Sequence, residues 1–198
     1  MKTMNDLFLH FLQDIYYAEK AAARSVTKLL RSVENEDVKG FLQATKAHAN
    51  EPIEHLDRVF EAVGKRPRGK TCDAMNGLLA ECQEAIEEGD KGPVLDAAMI
   101  ACLQGVRTYQ VTRYGSLLAF ARQMDLEEAM ADLEALRDAA REDDEELTRI
   151  AEGGVNEGAQ KEEGEDEEMP EEPEPVKAAP KGRKPAAKKP AGSRKKSE

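Results

Sequence analysis

Residues 6–33 read DLFLHFLQDIYYAEKAAARSVTKLLRSV, and this stretch decides the fold class. Its apolar side chains recur every three or four positions, at Phe8, Leu12, Ile15, Ala22, Val26, Leu29 and Val33. Because an α-helix completes a turn in about 3.6 residues, this spacing places them on one face of a long helix. The stretch therefore predicts a first helix over residues 5–33 whose apolar face packs against other helices.

The same helical periodicity continues along the chain. It predicts a second helix over 36–63, kinked at Pro52 because proline removes a backbone donor and crowds the carbonyl of His48. A shorter helix is predicted over 73–88, and two more long helices over 94–124 and 126–151. Two long antiparallel hairpins joined by a crossover that contains a short fifth helix are typical of an all-α, ferritin-like four-helix bundle.

The composition changes sharply towards the C-terminus. All nine aromatic residues precede residue 121, and six of the nine prolines lie between Pro170 and Pro190. Residues 156–175 carry ten acidic side chains and one lysine, whereas 176–198 carry nine basic side chains and one glutamate. A segment without aromatic residues and with few large apolar ones cannot build a core. We therefore expect a bundle over 1–153, a disordered acidic linker over 154–175 and a disordered basic tail over 176–198.

Charge and hydropathy exclude several classes of protein. The net charge of −11 does not draw the whole protein onto nucleic acid. No apolar run approaches the roughly 20 residues of a membrane span, and the N-terminus MKTMNDLFLH lacks the pattern of a secretory signal. The expectation is a soluble, cytoplasmic protein without a membrane partner.

Some chemically reactive side chains are interpreted as packing residues. Cys72, Cys82 and Cys102 are widely spaced and odd in number, which predicts neither a disulfide framework nor a cysteine metal site. We expect them to be reduced. Tyr109 and Tyr114 are likewise assigned to the core.

Glu19 is the most informative polar residue of the first helix. It lies on a heptad seam whose other positions are apolar, and an unpaired carboxylate there is unfavourable. Three environments stay open: rotation to solvent, an internal ion pair with Arg107 at the same depth of the bundle, or a metal ion. His48 and Asp144 lie on the inward seams of their own helices.

Four stretches of the chain resemble a known family. They are DLFLHFLQDIYYAEKAA (6–22), IEHLDRVFEAVGKRPRGKTCDAMNGLLAE (53–81), GPVLDAAMIA (92–101) and TYQVTRYGSLLAFARQM (108–124). The chain resembles the YciF/YciE-like proteins, ferritin-like bacterial proteins linked to stress responses. The resemblance covers residues 5–151 and implies a homodimer and a di-iron carboxylate site.

The ligand positions that the resemblance implies are mostly altered. The first-helix carboxylate is kept as Glu19, but a Glu-Glu pair is replaced by Ala47 and His48. A third-helix pattern resembling VEHYE reads VRTYQ at 106–110. The fourth-helix glutamates are replaced by alanines at 139 and 140, and only Asp144 is kept.

These replacements predict a dismantled metal site. Two metal ions need about four to six carboxylate or imidazole ligands, and Glu19, His48 and Asp144 are too few. Arg107 places a fixed cation where a carboxylate belongs. We expect no cofactor and no catalysis. The alternative is a di-iron protein with ferroxidase or peroxide-consuming activity.

Two other candidate sites are weaker. His48, Glu51 and His55 share a helix face, but the two histidines are seven residues apart, or about 10.5 Å along a helix, which is too far to bind one zinc ion comfortably. The basic loop 65–70 (KRPRGK) is either a phosphate patch or a solvated loop.

The basic tail predicts an interaction with a polyanion. Its cations are separated by proline and alanine, a composition that resembles the tails of linker histones: Lys177, Lys181, Arg183, Lys184, Lys188, Lys189, Arg194, Lys195 and Lys196. Such a segment neutralises phosphates without reading bases. The alternatives are pairing with the acidic run 157–174 or with a different acidic partner. The main hypothesis is a non-catalytic, homodimeric, ferritin-like stress-associated bundle that binds nucleic acid or another polyanion through this tail.

Overall fold

The structure is a computed structural model that describes residues 1–166, with side chains to residue 161. Its helices are α1 (Met4–Ser32), α2 (Glu36–Ala47), α3 (Glu51–Ala62), α4 (Asp73–Glu88), α5 (Pro93–Gln123), α6 (Glu127–Ile150), a π-helical turn (Ala151–Val155) and α7 (Asn156–Asp166). No strand occurs in this described part, so the all-α prediction is confirmed there. The basic tail lies outside the described residues.

The long helices pack side by side around an apolar interior. α5 contacts α1, α4 and α6, and α3 packs on α1 and α6. The buried side chains form two clusters, one around Phe8, Phe60 and Leu117 and the other around Leu42 and Met99. Within residues 1–166, none of the helices combines the length and the apolar character that a membrane span requires.

α1 begins and ends with specific polar contacts. Thr3 and Asp6 form a capping box, in which the Thr3 hydroxyl accepts from the Asp6 amide at 3.1 Å. After Val33, the backbone N–H groups of Glu34 and Asn35 each donate to the buried carboxylate of Asp96, both at 2.8 Å. Asp96 thereby fixes the turn between α1 and α2 to the start of α5.

The predicted second helix over 36–63 is two helices. α2 closes at His48, whose N–H donates to the carbonyl of Ala44, and α3 begins at Glu51 with Pro52 in its first turn. Proline has no N–H and is tolerated only where a helix begins, so the expected kink is a complete break. The break turns the His48–Asn50 segment towards the surface.

The chain kinks at Gly154 and then forms a further helix. The π-helical turn contains Gly154 at φ 135°, a conformation that glycine adopts without strain, and it buries Ala151 and Val155 in the second cluster. α7 then packs against α5, with Gly158 close to Pro93. The structure thus differs from the expected disordered linker at Asn156–Asp166, because the burial of Val155 anchors the chain.

Candidate functional site

A cleft of about 440 Å³ lies between α1, α2, α3, α5 and α6. Its walls are built largely from small side chains: Ala22, Ala23, Gly40, Ala44, Ala135 and Ala139. Its charged lining residues include Glu19 from α1, Arg107 from α5 and Asp143 from α6. This is the part of the bundle to which the sequence assigned the altered metal site.

Glu19 is buried beside the cleft, with 5% of its surface exposed. Its Oε1 accepts two hydrogen bonds, at 2.5 Å from the Tyr114 hydroxyl and at 2.6 Å from the Gln110 amide. Burial raises the pKa of Glu19 because it disfavours the charged form, and the two hydrogen bonds and the Arg107 charge oppose that rise. The pKa of Tyr114 is raised as well, by burial and by the adjacent Glu19.

Arg107 binds different partners from the expected one. Its Nη2 lies 2.9 Å from Oδ2 of Asp143 and 3.4 Å from the Thr45 hydroxyl. Its Nη1 donates to Oε1 of Gln110 at 3.0 Å. The described ion pairs do not include the predicted Glu19–Arg107 pair. Gln110, one turn along α5, lies between the two residues and connects them through its amide.

On α6 the cleft receives Asp143 rather than the expected Asp144. Burial raises the pKa of Asp143, and the neighbouring Arg107 opposes the rise. One position corresponds to a rotation of about 100° around a helix, so a small error in the assumed face selects the neighbouring carboxylate. Glu19, His48 and Asp144 are therefore not brought together in the arrangement that the sequence suggested.

The two histidines of the proposed zinc site have separate partners. His48 is exposed at the mouth of the cleft and pairs with Glu51 at 2.7 Å, which raises its pKa. His55 pairs with Asp132 at 2.6 Å, and Arg58 shares that carboxylate. Together, Arg58 and His55 lower the pKa of Asp132 against the effect of burial.

The donor set does not fit the di-iron centre that the family resemblance implies. No group of three or more His, Cys, Asp or Glu side chains suited to a metal ion occurs among the described residues. Glu19 uses one oxygen for Tyr114 and Gln110, and the Arg107 guanidinium lies at the same end of the cleft. Six acids and histidines line the cleft, but they do not converge on one point, and four of them are already paired with protein side chains: His48 and Glu51 with each other, His55 with Asp132, and Asp143 with Arg107.

A second polar cluster joins α1, α4 and α5. The Tyr109 hydroxyl donates to Asp14 at 2.5 Å, accepts from Arg113 at 3.2 Å and lies 2.9 Å from the sulfur of Cys72. Burial and the Asp14 carboxylate raise the pKa of Tyr109. Cys72 also accepts from the Met75 amide at the start of α4, so this cluster fixes the beginning of that helix.

Two cysteines that the sequence separates by twenty positions meet across α4 and α5. The interaction between the two thiols lowers the pKa of Cys102 to about 7 and raises that of Cys82. Cys82 is buried and Cys102 is half-buried, and neither forms a disulfide.

The basic loop is held to the bundle by its backbone. The Lys70 N–H donates to the carbonyl of Gln13 at 2.9 Å, and Gly69 approaches Tyr17 so closely that a β-carbon would lie 3.2 Å from that of Tyr17. The side chains of residues 65–70 are exposed, as expected for a solvated loop.

A model of one protein family matches residues 3–160 of this chain, which is nearly all of the described part. That family is described as a domain of unknown function, DUF892. The chain belongs to the DUF892 family.

Similar proteins cover the same part of the chain. Protein YciF of Escherichia coli strain K12 is 38% identical over 160 residues, which are 79% of this DUF892 chain and 95% of YciF. The crystal structure of YciF, described as a stress protein, aligns with a TM-score of 0.75 at 36% identity and covers 79% of this chain and 99% of that one. YcfI from Rhodopseudomonas palustris, described as a presumed structural protein, aligns with a TM-score of 0.71 at 36% identity and covers 74% and 94%.

Proposed function

We propose that this DUF892 protein is a non-catalytic, ferritin-like, stress-associated bundle that binds nucleic acid or another polyanion through residues 177–196. One observation carries the non-catalytic part: Arg107 and Gln110 lie beside Glu19, where the resemblance leads one to expect metal-binding carboxylates. A guanidinium repels metal ions, and an amide is a poorer ligand for them than a carboxylate.

The stress-associated part rests on the relatives. YciF is described as a stress protein, and nearly all of YciF aligns with 79% of this chain. The ferritin-like assignment rests on the packing of long helices around one interior. We further propose a cytoplasmic homodimer, which light scattering of the purified chain would test as a mass of about twice 21.9 kDa.

The polyanion-binding part rests on the distribution of charge. Residues 176–198 carry nine cations and one glutamate, whereas residues 1–155 are acidic overall. Phosphate neutralisation by such a segment is independent of base sequence and weakens as salt rises. The acidic residues before the tail are tethered close to it, so they compete with external DNA.

The test compares DNA binding by three forms of the protein at low salt. They are the wild type, a truncation before Val176, and a variant in which the five glutamates of 167–174 are glutamines, which leaves α7 intact. We expect the glutamine variant to bind most tightly, the wild type less tightly, and the truncation not at all. Neutralising the four cations of loop 65–70 is the matched control and leaves binding unchanged.

Two outcomes would overturn the proposal. DNA binding retained after the truncation would move the site to the bundle, with loop 65–70 as the first candidate. About two bound irons per chain, together with oxidation of ferrous iron, would favour the alternative di-iron function.

A further inference from the structure

The charged groups around the cleft are paired with one another, except for two acids. Arg107 binds Asp143, and His48 binds Glu51. The third base in the lining, His55, binds Asp132. Of the residues that line the cleft, Glu19 and Glu146 are acids to which the described ion pairs assign no cation. The pairing thus leaves two acids of the cleft available to a cation from solution.

The two oxygens of Glu19 differ in their surroundings. Both protein hydrogen bonds, from Tyr114 and Gln110, end on Oε1. Oε2 accepts none of the described hydrogen bonds, and the Glu19 side chain lines the cleft. The carboxyl group is therefore held in one orientation through Oε1, while Oε2 has no protein donor among the described residues. This is the geometry of a preorganised acceptor.

The walls restrict what can occupy the cleft. Most lining side chains of α1, α2 and α6 near Glu19 are alanine, glycine or other apolar groups, and they offer no ligand to a metal ion. A volume of about 440 Å³ lies within the range of small-molecule sites, about 300–1,000 Å³. Apolar walls with one oriented acid at the inner end favour a molecule that has an apolar body and a positively charged head.

We propose that the cleft binds a small organic ammonium ion, with its nitrogen at Oε2 of Glu19 and its apolar body between the alanine-rich walls of α1, α2 and α6. The ammonium ion donates to the carboxylate and so keeps Glu19 ionised in a buried place. The Asp143 carboxylate offsets the charge of Arg107 at the same end of the cleft. This inference is independent of the tail and of nucleic-acid binding.

The test uses three probes of nearly one shape and different charge. Calorimetric titration of the full chain at pH 7 with benzylammonium, benzyl alcohol and benzoate separates charge from apolar fit. We expect benzylammonium to bind at least about tenfold more tightly than the alcohol, as expected for a charge-assisted hydrogen bond, and benzoate to bind least. Two further titrations add zinc ions alone and ferrous ions alone.

Three variants place the binding in the cleft. Glu19→Gln keeps an acceptor for Tyr114 and Gln110, removes the charge and weakens benzylammonium binding about tenfold or more. Ala139→Leu fills the cleft from the exposed side of α6 and weakens all three organic probes. The matched control is Glu142→Gln, which removes an exposed acid of α6 outside the cleft and leaves the affinities unchanged.

Several results would overturn the proposal. Benzylammonium binding that survives both Glu19→Gln and Ala139→Leu would assign it to the acidic residues after α6. Equal affinity for benzyl alcohol would remove the role of charge, and tighter binding of benzoate would assign recognition to Arg107. If zinc or ferrous ions bind and benzylammonium does not, the cleft is a metal site instead.

Discussion

The Tyr114 hydroxyl donates a 2.5 Å hydrogen bond to Oε1 of Glu19 and holds the carboxyl group in the interior of the bundle. Both side chains are buried, and the two residues belong to α5 and α1 respectively. A tyrosine and a glutamine thus surround an acid that was expected to need a cation. Neutral donors satisfy its inner oxygen and leave the acid without a charge partner.

Removal of the Tyr114 hydroxyl destabilises the fold. Tyr114→Phe leaves Oε1 of Glu19 with one donor fewer in a buried place, so the free energy of unfolding falls by about 1–3 kcal/mol. Urea denaturation measures it. Tyr17→Phe is the matched control, because its hydroxyl bonds to Asn76 near the surface, and we expect a change of at most about 0.5 kcal/mol. Equal losses in both variants would contradict a special role for the buried bond.

The raised pKa of Glu19 makes stability depend on pH. The folded protein holds the Glu19 proton to a higher pH than the unfolded chain does, so this group's contribution to stability is largest below the unfolded pKa, near 4.5, and falls as pH rises towards the folded pKa. Glu19→Gln removes this dependence. We therefore expect the variant to gain stability relative to the wild type as pH rises above about 4.5 in urea titrations. Glu142→Gln, at an exposed position, shows no such gain.

We expect Cys102 to be the most reactive of the three thiols. The neighbouring Cys82 lowers its pKa to about 7, and it is half-buried, whereas Cys72 and Cys82 are buried. The thiolate is the form that reacts with iodoacetamide. We therefore expect the rate of alkylation to rise with pH around a midpoint near pH 7. Mass spectrometry of native protein should show one modified cysteine. Cys82→Ala shifts the titration to higher pH, and an unchanged midpoint would contradict the assignment.

Asp96 stabilises the first interhelical turn. Asp96→Ala leaves the N–H groups of Glu34 and Asn35 without their acceptors, and we expect a loss of about 1–3 kcal/mol. Thermal and urea unfolding measure the loss. Asp90→Ala, at an exposed position shortly before α5, is the control and changes stability by about 0.5 kcal/mol or less.

Helix positions were readable from the sequence to within a residue or two. The predicted helix 73–88 coincides with α4, and 5–33 differs from Met4–Ser32 by one residue at each end. Apolar periodicity and end signals such as Gly89 are local properties, so a single chain displays them. The sequence predicted only a kink at Pro52, whereas the structure has a break between two helices. The sequence shows that proline removes a hydrogen-bond donor, but not how far the two helices turn apart.

The contacts of the cleft were less predictable. Glu19 and Arg107 both line the cleft, but Gln110 lies between them. The Arg107 guanidinium forms its ion pair with Asp143 instead. Which of two adjacent acids faces inward depends on the rotation of α6 about its axis, and periodicity defines that rotation only within about one residue. The pairing of Cys82 with Cys102 likewise requires the relative register of α4 and α5, which no local pattern contains.

The separation of α2 from α3 sets a hierarchy of opening within the bundle. A helix of twelve residues is near the lower limit of what persists alone in water, so α2 depends on the burial of Val38, Phe41 and Leu42. We therefore expect backbone amides of α2 to exchange with deuterium through local unfolding. Amides of the 29-residue α1 exchange only when a larger part of the protein unfolds. The cleft is thus lined both by a short helix that we expect to open readily and by a long helix that we expect to open late.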